Sequence, residues 1–280
     1  ATSTATADST SSVSGMPAWS LRAWKSISSP PVAAASTGVM VVISSRRLAR
    51  EEALFAGTSS GANVVAACFI IDLPELGGAD KLRAITSMHT LGKLRLGGGL
   101  EAKTETFAVA PVTPSQGTFR QEFSLQGLTQ VQAWDGQQAW SIDPFEGRRD
   151  PQKLSADDSK DLVLAADIAG PLLDWQKKGS RIEYLGTEDI DGTDAHKLRV
   201  TFKNGDSQVL FLDPDQFLAI RVVDHRMIRG QEQVQTTDVG EYEKVDGVYF
   251  PFEQGRNHIE SAQLNTSMDA SQFAFPVAKP

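Results

Sequence analysis

The sequence predicts a mainly β chain with some helices (α+β), built on one large curled antiparallel sheet with a helical lid on one side. Three observations carry this. From Met88 onward apolar and polar residues alternate with a period of two, as in "TFRQEFSLQG" and "HKLRVTFKNG". The strand-like runs are joined by tight-turn pairs, Asp135-Gly136 and Asn204-Gly205 among them, and connections that short force antiparallel neighbours. One stretch, "SADDSKDLVLAADIAGPLLDWQKKG", breaks the alternation and carries helix signals instead.

Residues 1–38 are rich in Ser, Thr and Ala with almost no charge, and are expected to form a tail or arm, since they bury too little to offset their ordering entropy. Residues 39–75 are expected to be a helical N-terminal segment, and residues 76–280 the sheet domain. Within the latter, "LPELGGADKLRAI" gives a Gly-Gly break and a helix capped by Asp80. Strands follow: Phe119, Phe123 and Leu125 share one face, with Arg120, Glu122 and Ser124 on the other. "AWDGQQAW" is a hairpin holding Trp134 and Trp140. Leu198, Val200 and Phe202 face one way in the strand before Asn204-Gly205, and "DSQVLFLDPD" returns after it. "FLAIRVVDHRM", "EQVQTTDVGEYEKV", "VYFPFEQ" and "HIESAQLN" continue the pattern. In the interruption Ser155 is an N-cap, Asp157 and Asp158 lie in the first turn, and Lys177, Lys178 and Gly179 mark the end. Pro171 is expected to divide it into two helices laid on the sheet as a lid. A sheet of so many strands must curl, and with a helical lid it encloses apolar space.

The composition narrows function. The chain of 280 residues has Lys+Arg 27 against Asp+Glu 35, a net charge of −8, which argues against nucleic acid as the main partner. No apolar run approaches the ~18 residues of a transmembrane span. With Cys68 the single cysteine, no internal disulfide forms. "VAAC", ending at Cys68, fits the small-residue pattern before a lipidated cysteine, but Glu51 and Glu52 interrupt the apolar stretch ahead of it. Residues 1–15 have neither the basic start nor the apolar run of a signal peptide.

Four longer stretches, "ELGGADKLRAITSMHTLGKL", "QGLTQVQAWDGQQAWSIDPFEG", "YEKVDGVYFPFE" and "AQLNTSMDASQFAFP", resemble the LolA-like outer-membrane lipoprotein-sorting proteins, in consistent order from about Leu76 to Phe275. The resemblance implies an open half-barrel with helices at its mouth, periplasmic or otherwise associated with the bacterial cell envelope. It also implies binding of a lipid or a lipoprotein acyl chain in an apolar cavity, without catalysis. Such binding needs only apolar walls, since burial of a chain is favourable by ~0.8 kcal/mol per CH₂. The cavity candidates are Phe119, Phe123, Leu125, Trp134, Trp140, Phe202, Phe211 and Phe250 on the strands and Trp175 on the lid, with Gly170-Pro171 and Gly179 as lid hinges. Each of these side chains also fits a closed, filled core. The alternative reading is an accessory structural subunit that docks on a larger envelope or membrane complex.

Catalytic signals are sparse. "SSRRLAREEALFAGTSSGANVVAAC", Ser44 to Cys68, resembles a short piece of the cysteine synthase family, in which Ser59 would meet the ring nitrogen of pyridoxal phosphate. No Schiff-base lysine motif or phosphate loop accompanies it, so no cofactor is expected. "GTSSG" has the spelling of a nucleophile elbow, but too little chain precedes Ser59 to build the parallel sheet an elbow caps. "EDIDGTDAH" gathers Glu188, Asp189, Asp191 and Asp194, which an Asp-Gly hairpin turn explains without calcium. His89, His196, His225 and His258 lack metal-ligand spacing, and Gly97 to Gly99 lack the Lys of a phosphate loop. The expectation is therefore no enzyme, no catalytic residue and no metal.

Overall fold

The computed structural model describes residues 77–111 and 117–276. The expected tail, the 39–75 segment, Ser59 and Cys68 lie outside them. The described chain opens with a short helix, α1 (Ala79–Arg83), and then runs almost entirely in strands. The first group is β1 (Ser87–Gly97), β2 (Leu100–Val109), β3 (Thr118–Leu125), β4 (Leu128–Trp134), β5 (Ala139–Asp143) and β6 (Arg148–Lys153). A connector holding the helix α2 (Lys160–Ala165) leads to β7 (Arg181–Ile190), β8 (Thr193–Thr201) and β9 (Ser207–Leu212). The last strands are β10 (Ala219–Ile228), β11 (Gln231–Val245), β12 (Val248–Gln254) and β13 (Asn257–Leu264).

All 13 strands belong to one open antiparallel sheet, ordered β6-β5-β4-β3-β2-β1-β13-β12-β11-β10-β9-β8-β7. Two meanders, β1 to β6 and β7 to β13, are joined where β1 pairs with β13, Met88 opposite Leu264. That join is closely fitted at its bulge. A Cβ on Gly92 would lie 2.4 Å from the carbonyl oxygen of His258, so the register shift between Leu91 and Gly92 needs a residue without a side chain.

The topology makes the free edges β6 and β7 the two ends of the sheet, and residues 154–180 join them. A chain that links opposite edges must cross one face. It does so here with little structure of its own, which corrects the expectation of a two-helix lid. Only the six residues of α2 are helical, and the chain then proceeds in turns. Gly170 sits at φ 76, Pro171 has no N–H to give, and Asp174 adopts a left-handed φ of 51, so no second helix nucleates. The helix itself is well anchored: Leu162 is buried, Ser159 is buried ahead of it, and the Ser155 hydroxyl accepts from the Asp158 N–H.

Under the connector lie three apolar clusters. Leu162 and Ala166 pack with Ala108, Phe119, Trp134 and Ala139 on β2 to β5. Leu173 packs with Leu82, Ile85, Val248 and Leu264, around α1, β12 and β13. Leu172 reaches Leu198, Val200, Leu210 and Leu212 on β8 and β9. The opposite face has its own clusters, Ile190, Ala195, Val209 and Phe211 at one end and Val131, Ala133 and Trp140 at the other. The segment after β13 covers the latter. Trp140 donates to the Phe273 carbonyl at 2.8 Å, Arg120 donates to the Gln272 carbonyl at 2.9 Å, and Phe275 meets Trp140 edge-on.

Candidate functional site

The covered face, with the connector across it, is the candidate site. Pairing register decides which residues belong to it. Phe119 pairs with Trp134 and Trp134 with Ala139, so these side chains share the covered face, under α2. Phe202 and Phe250 also belong to it, at the margins of the clusters around Leu198 and Leu82. Phe123 lies on the same side as Phe119, half-buried and edge-on to Phe145 at 5.6 Å, and Leu125 follows it, also half-buried. Trp175 is half-buried at the connector's far end, outside all three clusters.

Two of the sequence candidates lie on the opposite face. Because Trp134 pairs with Ala139, the next residue, Trp140, must point away, and it packs with Ala133 and Phe275. Because Leu198 pairs with Leu210 on the covered side, Phe211 points away and lies under the Lys197 ammonium at 5.2 Å. The residues that sequence reasoning missed are the small ones. Ala108 and Ala139 let the connector lie close, and their burial has no signature in an alternating pattern.

Gly117 sets how close. A Cβ there would stand 2.4 Å from the Ala166 carbonyl oxygen and 2.7 Å from that of Val109, so the connector backbone touches the sheet at the start of β3.

The connector is tied down by ion pairs along its length. Asp158 meets Arg229 and Asp161 meets Arg226. Lys160 donates to the buried Asp206 and to the Met227 carbonyl. Lys178 binds Asp167 and the Gly170 carbonyl, which closes the turn around Pro171. Asp174 accepts from Arg83 at 3.1 Å and from Lys177 at 3.2 Å.

Two of these aspartates respond to acid in opposite senses. Burial pushes the Asp167 carboxyl up, against the pull of Lys178. The hydrogen bond from Arg83 holds Asp174 below the ordinary carboxylate range, helped by Lys177. A depressed folded-state pKa adds stability that is present above the unfolded value and lost as pH falls through the folded one. Asp174→Asn is therefore expected to lower stability by at most about 1 kcal/mol at neutral pH, as exposed pairs do. The difference should vanish below the carboxylate range. Asn accepts the left-handed backbone at this position, so the charge alone is tested. Urea unfolding at neutral and strongly acidic pH checks it, and a difference that persists in acid would contradict the assignment.

The other face carries polar features. A shallow groove of about 320 Å³ is lined by Lys93, Lys103, Glu105, Glu122 and Glu260 around Gly92. Nearby, Glu241, Glu253 and His258 on three adjacent strands bring ligand atoms within 4.8 Å of one another, the one such group among the described residues. Glu253 is already matched by Arg95 at 2.7 Å and by His258 at 2.9 Å, so the trio is accounted for as an ion-pair network.

No family model matches the chain. Among curated proteins it is 92% identical over 25 residues to the adenine phosphoribosyltransferase of Bradyrhizobium diazoefficiens, and 84% identical over 25 residues to that of Methylobacterium nodulans. These stretches are 9% of this chain, which spans 14% of the length of the curated relatives it matches. Three solved structures are similar over most of the described region. A DUF1329 family protein from Desulfovibrio piger has a TM-score of 0.49 at 14% identity, with 70% of this chain and 92% of that one covered. A LolA superfamily protein from Nitrosomonas europaea has 0.46 at 14% identity, covering 73% and 98%. A putative outer membrane lipoprotein-sorting protein domain from Vibrio parahaemolyticus has 0.44 at 13% identity, covering 72% and 95%. The last two bear the names to which the sequence resemblance pointed.

Proposed function

We propose that this chain is a non-enzymatic cell-envelope protein that takes up a lipid or lipoprotein acyl chain between its connector and the covered face of the sheet. The observation that carries the reading is the connector. One strap, with a single six-residue helix, spans three apolar clusters from edge to edge and fills the space an acyl chain would fill. The magnitudes favour exchange. Leu162 and Leu173, the two buried connector leucines, contribute about 1.5–3 kcal/mol each. A sixteen-carbon chain on the same surface gains roughly 12 kcal/mol at ~0.8 kcal/mol per CH₂. A long acyl chain therefore brings a gain of the size needed to compete with the strap, which Leu172, Ala166 and the ion pairs hold as well. The sequence resemblance to LolA-like proteins points the same way, and with it the periplasmic or envelope location.

The test is native mass spectrometry of gently purified protein, followed by solvent extraction and addition of acyl probes. A discrete extra mass that extracts as a lipid, or stoichiometric uptake of a sixteen-carbon acyl ester, supports the reading. A clean apo mass that takes up neither long-chain esters nor phospholipid overturns it. That result would favour the second reading, an accessory subunit of an envelope or membrane complex, which draws on the same observation: a face already filled by the chain's own residues suits a docking module.

A further inference from the structure

Trp134 is 9% exposed, and its indole N–H has no hydrogen-bond acceptor among the described residues, the one buried side-chain polar atom so left. The group is surrounded by carbon: Ala108, Phe119 and Ala139 from the sheet, Leu162 and Ala166 from the connector. The other buried tryptophan on these strands, Trp140, has its N–H satisfied by the Phe273 carbonyl. Buried donors without partners are rare, and each one calls for an explanation.

We propose that the Trp134 indole N–H donates to the carbonyl oxygen of a neutral acyl ester or amide, and so selects this group over a bare hydrocarbon and over a free carboxylate. The inference rests on the acyl-binding reading above. A neutral carbonyl suits the site because it asks for one donor and brings alkyl groups to the surrounding carbon surface. A carboxylate would need a counter-charge, and the connector's three lysines are all engaged: Lys160 with Asp206, Lys177 with Asp174 and Lys178 with Asp167. Arg120, on the neighbouring strand, lies on the opposite face with Glu122 and the Gln272 carbonyl. An unmatched charge buried at Trp134 would pay its full desolvation cost, while a carbonyl exchanges one hydrogen bond for another.

The experiment compares binding of three probes of equal chain length, a methyl ester, an n-alkane and a fatty acid at neutral pH, to the full chain and to Trp134→Phe. The ester should bind the natural chain more tightly than the alkane or the fatty acid. Trp134→Phe should weaken the ester roughly three- to tenfold and leave the alkane unchanged, as loss of one hydrogen bond in a kept apolar shape requires. In the natural chain, the ¹⁵N-resolved Trp134 indole proton should move downfield on adding ester and not on adding alkane, a readout that does not depend on the variant's folding. Equal weakening of ester and alkane, or an unmoved indole proton with ester bound, overturns this inference and leaves acyl binding standing. Failure of the natural chain to bind any of the three overturns the acyl-binding reading and this inference with it.

Discussion

Trp140→Ala is expected to cost about 3–5 kcal/mol of stability, the range for removing a fully buried aromatic side chain. Trp140 is 1% exposed and joins two parts of the chain that lie far apart in sequence. Its ring packs on Val131 and Ala133 and meets Phe275, its N–H holds the Phe273 carbonyl, and the Arg120 guanidinium lies 5.7 Å from its ring centre. Truncation leaves a cavity under the C-terminal segment and an unpaired carbonyl above it. Both effects fall on the face away from the connector, so acyl uptake at a temperature where the variant is folded should be preserved. Urea titration measures the first expectation. A loss below about 1 kcal/mol would mean that the C-terminal segment does not seal this face.

Gly117→Ala is expected to act on the other face. The added methyl would meet the Ala166 carbonyl oxygen at 2.4 Å and the Val109 carbonyl oxygen at 2.7 Å, both backbone atoms that cannot rotate away. The connector must rise from the sheet, at about 1–3 kcal/mol, the range for overpacking. Leu162 and Ala166 rise with it, which uncovers Phe119 and Trp134. The variant should therefore bind an environment-sensitive hydrophobic dye more strongly and load acyl ester faster, while keeping its strand content by circular dichroism. Natural stability with unaltered dye binding would contradict the close contact at this glycine.

Much of the sheet was legible because its physics is local. The Asp135-Gly136 and Asn204-Gly205 turns lie between paired strands, and the alternation in "TFRQEFSL" matches β3, with Arg120 and Glu122 paired on the face away from Phe119. Face membership was less legible. Trp134 and Trp140 look equivalent in "AWDGQQAW", yet the pairing of Trp134 with Ala139 sends them to opposite sides, and only the register of the hairpin decides this. Phe211 goes to the face opposite Phe202 for the same reason. β6, "RRDPQK", carries no apolar alternation because it is an edge strand, and Pro151 is tolerated there. The connector's composition suggested helices, but its backbone is shaped by contact with the sheet and by turns at Gly170 and Asp174, which propensity does not encode. Its filling of the site depends on Ala108, Ala139 and Gly117, residues whose importance is the room they leave.

The central claim, that connector and acyl chain compete for one apolar face, is most directly tested by hydrogen exchange of the full chain with and without a sixteen-carbon acyl ester. With ester bound, peptides spanning residues 160–179 should exchange at least about tenfold faster as the strap leaves the sheet, while the core strands β8 and β9 stay as protected as before. Ester bound at one per chain, with those connector amides unchanged or slowed, would contradict it: the strap would then be a fixed part of the fold, and the ligand would lie elsewhere.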